Sequence, residues 1–207
     1  MLHVSPYLEQ QARWPARGQH LLAQFGASDV VVYQAYRPAI GLYAAKHGHF
    51  GGEYSFSRMS WIKPNFLWMM YRSGWGSKPD QEVTLALRLR RDGFEALLEK
   101  AVASSFAASP FAALGMGSNE DWKAALERSD VRLQWDRDHD PAGRPLERRA
   151  IQLGLRGQTL RQLNDEWLLE IEDVSGFVQE QRNNRGALER LQTPTEHVYT
   201  ARPGTPA

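Results

Sequence analysis

The stretch that most constrains this chain is Pro64 to Ser73, PNFLWMMYRS, which reads as a helix apolar nearly all round. A surface helix carries one apolar stripe; a helix without a polar side belongs at the centre of its domain. Pro64 suits a first helical turn, Lys63 before it should be extended, and Gly74 supplies a stop. The helix lies inside a longer block, Glu53 to Gly76, with three of the seven tryptophans, three of the five methionines, and Arg58, Lys63 and Arg72. The fold should be organised around this block, with the cations at its rim.

The flanking segments supply partners for it. Val30 to Tyr36, VVVYQAY, is β-branched and aromatic and reads as a buried strand. Arg37-Pro38 ends it and opens a helix to about His47, stopped by Gly48. A second strand is expected from Tyr54 to about Met59, after the Gly51-Gly52 turn. From Glu82 to Arg90, Val83, Leu85, Leu87 and Leu89 alternate with Glu82, Thr84, Arg88 and Arg90, which predicts a strand with one wet face. Asp92 should cap a helix carrying Phe94, Leu97 and Leu98, and residues 104–117 read as a loop. Beyond a short helix ending near Arg128, Val131–Trp135 and Arg148–Leu155 read as a hairpin joined by the acidic loop DRDHDPAGRP. A helical turn near Thr159–Leu163, a strand over 167–174, whose spacing also suits a helix, and a helix from Phe177 to about Leu191 follow.

Strands and helices intermix without regular βαβ spacing, so the expected class is α+β: one domain, mixed or antiparallel sheets, a central apolar helix and flanking helices. The expected organisation is an N-terminal arm over 1–28, a globular domain over 29–191 and a disordered polar tail over 192–207. A net charge of +1 gives no overall pull toward nucleic acid or membrane, so any such attraction must be local. With no cysteine there is no disulfide, thiolate metal site or thiol nucleophile, which fits a cytoplasmic setting. Residues 1–27 carry Arg13, Arg17 and two prolines without an apolar run, so no signal peptide is expected, nor any membrane span.

Five segments carry a resemblance: VYQAYRPAIG at 32–41, RMSWIKPNFLWMMYRSGWG at 58–76, VRLQWDRDHDP at 131–141, RRAIQLGLRG at 148–157 and IEDVSGFV at 171–178. Together they resemble domain-of-unknown-function family 4291 over roughly residues 29–181. That resemblance implies a single domain and supplies no mechanism.

Two constellations point to a nucleotide. In the central block, Arg58 and Lys63 precede a helix start whose free N–H groups and positive dipole end suit an anion, and Trp61 offers a stacking face. Separately, Arg37 at the end of an early strand, Ser55 and Ser57 further on, and Glu170 and Glu172 on a late strand resemble the R–S–E pattern of ADP-ribosyltransferases. The resemblance implies that Arg37 holds phosphate or ribose of NAD, that Ser57 orients the ribose, and that Glu172 is catalytic, steadying a developing oxocarbenium ion. The chain departs from that pattern in the strongly apolar helix after Ser57.

A third constellation, Asp136, Asp138 and Asp140 with Glu147 twelfth in line, follows calcium-loop spacing but places Pro141 where such a loop needs glycine. No metal is expected from it, nor from the six histidines. The sequence therefore predicts a nucleotide-binding domain that transfers ADP-ribose from NAD to a nucleic-acid or protein acceptor. Arg37 and Glu172 would be catalytic, and Arg37, Ser57, Arg58, Trp61 and Lys63 would hold the cofactor. Two alternatives stand beside it: a non-catalytic RNA- or DNA-binding module using the same cations and aromatics, and an interaction protein in which the block is only core.

Overall fold

A computed structural model describes residues 2–105 and 118–200. In chain order the elements are β1 (Val4–Pro6), α1 (Tyr7–Gln11), β2 (Gly18–Gln19), β3 (Leu22–Ala23), β4 (Asp29–Tyr36), α2 (Pro38–His47), β5 (Ser60–Ile62), α3 (Phe66–Ser73), β6 (Val83–Arg90) and α4 (Arg91–Lys100). They continue with β7 (Val102–Ala103), α5 (Asn119–Arg128), β8 (Val131–His139), β9 (Pro145–Leu155), α6 (Gly157–Gln162), β10 (Leu168–Asp173), α7 (Ser175–Asn184), β11 (Gln192–Pro194) and β12 (His197–Val198). A π-turn, Leu163–Trp167, joins α6 to β10. The class is α+β.

Two sheets carry the fold. One is antiparallel, in the order β10-β6-β4; the other runs β2-β9-β8-β7, with β5 also on β9. In the second sheet β2 and β7 are parallel to their neighbours, so it is mixed. Strand β5 stitches the two together. It pairs with β9 from Ser60 to Ile62, and one residue later Lys63 exchanges both backbone hydrogen bonds with Tyr33 of β4. The Gln34 side chain adds donors to the Ser60 hydroxyl and the Trp61 carbonyl.

Alternation along the strands makes two cores. On one face Val30, Val32, Leu85, Leu87, Leu89, Ile62, Leu153 and Leu155 pack with Phe94 and Leu97 of α4. On the other face Val31, Tyr33 and Ala86 meet Phe66, Leu67, Met69 and Met70 of α3, together with Tyr7, Trp14 and Val178. The all-round apolar helix is thus central, with only Tyr71 and Arg72 of its eight residues exposed. Asn65 caps it by accepting from Trp68 N–H, and Gly74 closes it in the left-handed region at φ 60°.

Several local expectations are corrected. Strand β6 is buried on both faces as far as Leu87, with Thr84 fully sealed, because α3 and α7 cover the side read as wet. No strand runs over 54–59. Tyr54 and Phe56 instead join Tyr36 and Phe50 in an edge-to-face aromatic cluster, which produces a strand-like pattern without strand pairing. The acidic hairpin loop is mostly strand, and the chain reverses only at 140–144. Arg90 rather than Asp92 occupies the cap of α4, and the helix expected to reach Leu191 ends at Asn184.

The largest correction concerns the ends. Residues 192–200, expected within a disordered tail, pair as β11 with β1 and as β12 with β3. The N-terminal arm is therefore part of the same domain. Glu196, 3% exposed, sends its carboxyl group into the first turn of α3, where Oε1 accepts from Phe66 N–H at 2.6 Å and Oε2 from Asn65 Nδ2 at 3.1 Å. Its backbone is held too: its N–H donates to Gln10 and its carbonyl accepts from the Trp14 indole. Trp14 in turn stacks on Arg148, which forms a buried pair with Asp138 at 2.7 Å and donates to the Pro15 carbonyl. Residues 201–207 of the expected tail and 106–117 of the expected loop lie outside the described residues.

Replacing Glu196 with Ala strips the α3 N-terminus of its acceptor and leaves Phe66 N–H and Asn65 Nδ2 buried without partners. The expected loss is about 2–4 kcal/mol of unfolding free energy in a denaturant titration. Glu196→Gln, which keeps one acceptor, should lose clearly less.

Candidate functional site

Where α3 stops covering the sheet, the outer face of β5, β9 and β8 carries polar side chains. Register and alternation place Trp61 of β5, Lys63 just after it, Gln152 and Gly154 of β9, and Arg132, Gln134 and Asp136 of β8 on this one face. Their neighbours Ile62, Leu153 and Val131 point into the core. Trp61 stands opposite Gly154, Gly154 opposite Arg132, and Gln152 opposite Gln134.

Asp136 is fixed in place, because Gln134 Nε2 donates to Oδ1 at 2.8 Å and Gln152 Nε2 to Oδ2 at 2.7 Å. Both amides are spent on one carboxylate, so its orientation is set before any ligand arrives. Gly154 is needed for packing: a Cβ there would lie 2.8 Å from Met59 Sδ and 3.0 Å from the Trp61 ring. Trp61 lies flat against the backbone for that reason.

Lys63 is the unusual member. It is 6% exposed, yet its ammonium has neither hydrogen bond nor ion pair among the described residues. Burial, then the nearby Arg72 guanidinium, push its pKa down to about 8, opposed by the charge of Asp136. Arg72, on the last turn of α3, is exposed and also without an ion pair among the described residues. Arg132 has a sealed Nε without a partner. Lys63 thus lies within electrostatic reach of both Arg72 and the fixed Asp136, without an ion pair to that carboxylate among the described residues.

The other expected site residues are scattered. Arg58 is exposed on the turn before β5. Ser57 is exposed on the same turn rather than on a strand, and its hydroxyl bonds that of Ser55. Arg37 is the N-cap of α2 and pairs with Glu53 at 2.6 Å on the surface. Glu172 sits opposite Ala86 and lines a shallow hollow with Leu2, Val31, Arg88 and Glu170. Arg37 follows Tyr36, which pairs with Val83, so four residues and two strand spacings separate it from Glu172, roughly 16 Å between Cα atoms. Of the expected residues the structure brings together Trp61 and Lys63, and the sheet register sets Arg37 and Glu172 far apart.

The helix start expected to receive an external anion already holds Glu196. The three aspartates of the calcium-like run take separate partners: Asp136 the two glutamines, Asp138 Arg148, and Asp140 Arg144. A larger surface hollow of about 650 Å³ lies elsewhere, between Tyr7, the 140–146 turn and Arg185–Leu188, and includes none of the Lys63 group. Gln134, Gln152 and Gly154 had no place in the sequence reading. Their signal was the polar–apolar alternation of VRLQWD and the lone polar Gln152 between Ile151 and Leu153, which leaves a second face outside the core.

A family model matches residues 20–199, which include every residue of this patch as well as Glu196. The chain belongs to the family described as Domain of unknown function (DUF4291). No curated protein matches the sequence. The match extends the DUF4291 unit beyond the five segments noted above, to β3 and β12 at either end. Among the described residues of this DUF4291 chain, no helix is long and apolar enough to cross a membrane.

A buried, unpaired lysine is a cost the fold carries. Its folded pKa, about 8, is below the unfolded value of 10.5, so the unfolded chain binds the extra proton between those limits. Stability should therefore rise as pH increases from 8 to 10.5. At pH 7, Lys63→Met should stabilise the protein by about 2–3 kcal/mol and flatten that rise, read from urea midpoints at several pH values. A Lys63→Met variant less stable than the parent would show that the amine has a structural partner.

Proposed function

We propose that this protein binds a phosphorylated, nucleotide-like ligand on the polar face beside α3. The observation that carries the proposal is Lys63: nearly sealed, its ammonium unpaired among the described residues, and set between Arg72 and a fixed Asp136. An uncompensated cation in such a place is costly, and a ligand phosphate supplies the missing counter-charge. Lys63 and Arg72 would hold the phosphate, Trp61 would stack on the base, and Asp136 would accept from ribose hydroxyls. Arg58, at the edge of the patch, is free to reach a second phosphate. A cytoplasmic setting, where nucleotides abound, belongs to the same reading.

NAD remains among the ligands to test, as a nucleotide. Transfer of ADP-ribose by Arg37 and Glu172 is not part of the proposal, since those side chains lie far apart and Arg37 is engaged with Glu53. That the Lys63 ammonium makes no hydrogen bond to the described residues favours a ligand role over a purely structural one.

The experiment is a titration of intrinsic tryptophan fluorescence with AMP, ATP, ADP-ribose and NAD. At least one should bind, with affinity falling as pH rises through about 8 and Lys63 loses its charge. Lys63→Met and Arg72→Ala should each weaken it by about tenfold or more, roughly 1.4 kcal/mol, whereas Arg37→Ala should leave it unchanged. Indifference of all four ligands to Lys63→Met would overturn the proposal. Binding of a single-stranded oligonucleotide in place of these ligands, weakening steeply with salt, would favour the nucleic-acid module instead.

A further inference from the structure

The same lysine supports a more specific inference, which rests on the binding reading above. We propose that Lys63 is a nucleophile that forms an imine with the open-chain aldehyde of a 5-phosphorylated pentose. That pentose is either free or the terminal ribose of a nucleotide.

Three features of the patch point to this chemistry. First, the amine is not locked as an ammonium by an ion pair: Asp136 lies beyond ion-pair distance, its oxygens taken by Gln134 and Gln152. A lysine that reaches the neutral state near physiological pH has a lone pair to offer, and a desolvated, cation-flanked site is where lysines become nucleophiles. Second, Asp136 is close enough for its charge to act on the amine, so it can accept a proton and orient departing water. Third, the lining matches a phosphorylated sugar. Arg72 serves one phosphate, the carbonyl oxygens of Gln134 and Gln152 with Asp136 can accept sugar hydroxyls, and Trp61 gives an apolar ring for a sugar face or a base.

The step balances without a further reactant. The Lys63 nitrogen attacks the aldehyde carbon, and an N–C bond forms as the carbonyl π-bond becomes a hydroxyl. The amine proton passes by way of Asp136, and the hydroxyl leaves as water to give C=N. One water is released, and nothing is oxidised or reduced.

The test uses the full-length protein incubated with ribose 5-phosphate or with ADP-ribose, each in the presence of sodium cyanoborohydride. Intact mass and peptide mapping follow. Reduction of the imine should add the mass of one ligand less one oxygen atom, on Lys63, more than about tenfold above any of the four other lysines. Labelling should rise as pH increases through about 8, opposite in slope to the binding of AMP, which has no free aldehyde. Faster labelling by ADP-ribose than by ribose 5-phosphate identifies the nucleotide-borne sugar; the reverse identifies the free sugar phosphate.

AMP binding that depends on Lys63, together with no adduct from ribose 5-phosphate or ADP-ribose, overturns the imine and leaves the binding site standing. Absence of both removes both. An adduct spread over the other lysines also overturns the proposal, and because the mapping uses the unaltered chain, that outcome does not depend on any variant folding.

Discussion

The structure depends on one buried contact between distant parts of the chain, the Glu196 carboxyl group at the N-terminus of α3. Helix α3 is nearly all apolar and cannot offer a polar face to water, so its first-turn N–H groups need a partner from within the protein. Asn65 satisfies one from inside the helix's own segment, and Glu196 satisfies another from beyond β11. To bring Glu196 there, the last described residues must run back past α1 and β3, and the bonds from Gln10 and Trp14 hold them in that path. Burial drives the Glu196 pKa well above its ordinary value, while the Phe66 N–H and Asn65 amide oppose the shift. The central helix, the N-terminal arm and the C-terminal strands are consequently one cooperative unit.

The same arrangement explains why the unpaired cations lie where they do. With the start of α3 already occupied by the Glu196 carboxyl group, the helix start is closed to outside anions. The free cations of the block lie instead on the flank, where α3 ends its coverage of the sheet. Lys63 and Arg72 come from either side of α3, one from just after β5 and one from the last turn of the helix. Gln134, Asp136 and Gln152 meet them from strands more than sixty residues later.

What the sequence could show follows from this division. Strands β4 and β6 and helix α2 were legible because their signals are local: β-branched runs, strict alternation, Pro38 at the start and Gly48 at the end. The centrality of α3 was legible from its lack of a polar stripe. The fate of Glu196 was not, since a polar, proline-bearing stretch looks the same whether it is solvated or threaded through a core. Nor was the wrong placement of the second strand avoidable by pattern, because Tyr54 and Phe56 alternate for the sake of an aromatic cluster. Lys63 and Trp61 were singled out by sequence, but the residues that share their face needed the β8–β9 register. The pairing of Arg37 with Glu172 was a pattern of residue types along the chain that three-dimensional register separates.

Strand β5 adds a mechanical consequence. It is only three residues long, and the residue that joins the two sheets through its backbone is the one whose side chain faces the patch. The two half-sheets cannot slide past each other without displacing the amine, and a ligand that clamps the amine would in turn brace the seam. Occupancy of a small surface patch would thereby be felt as stiffness across the whole width of the domain.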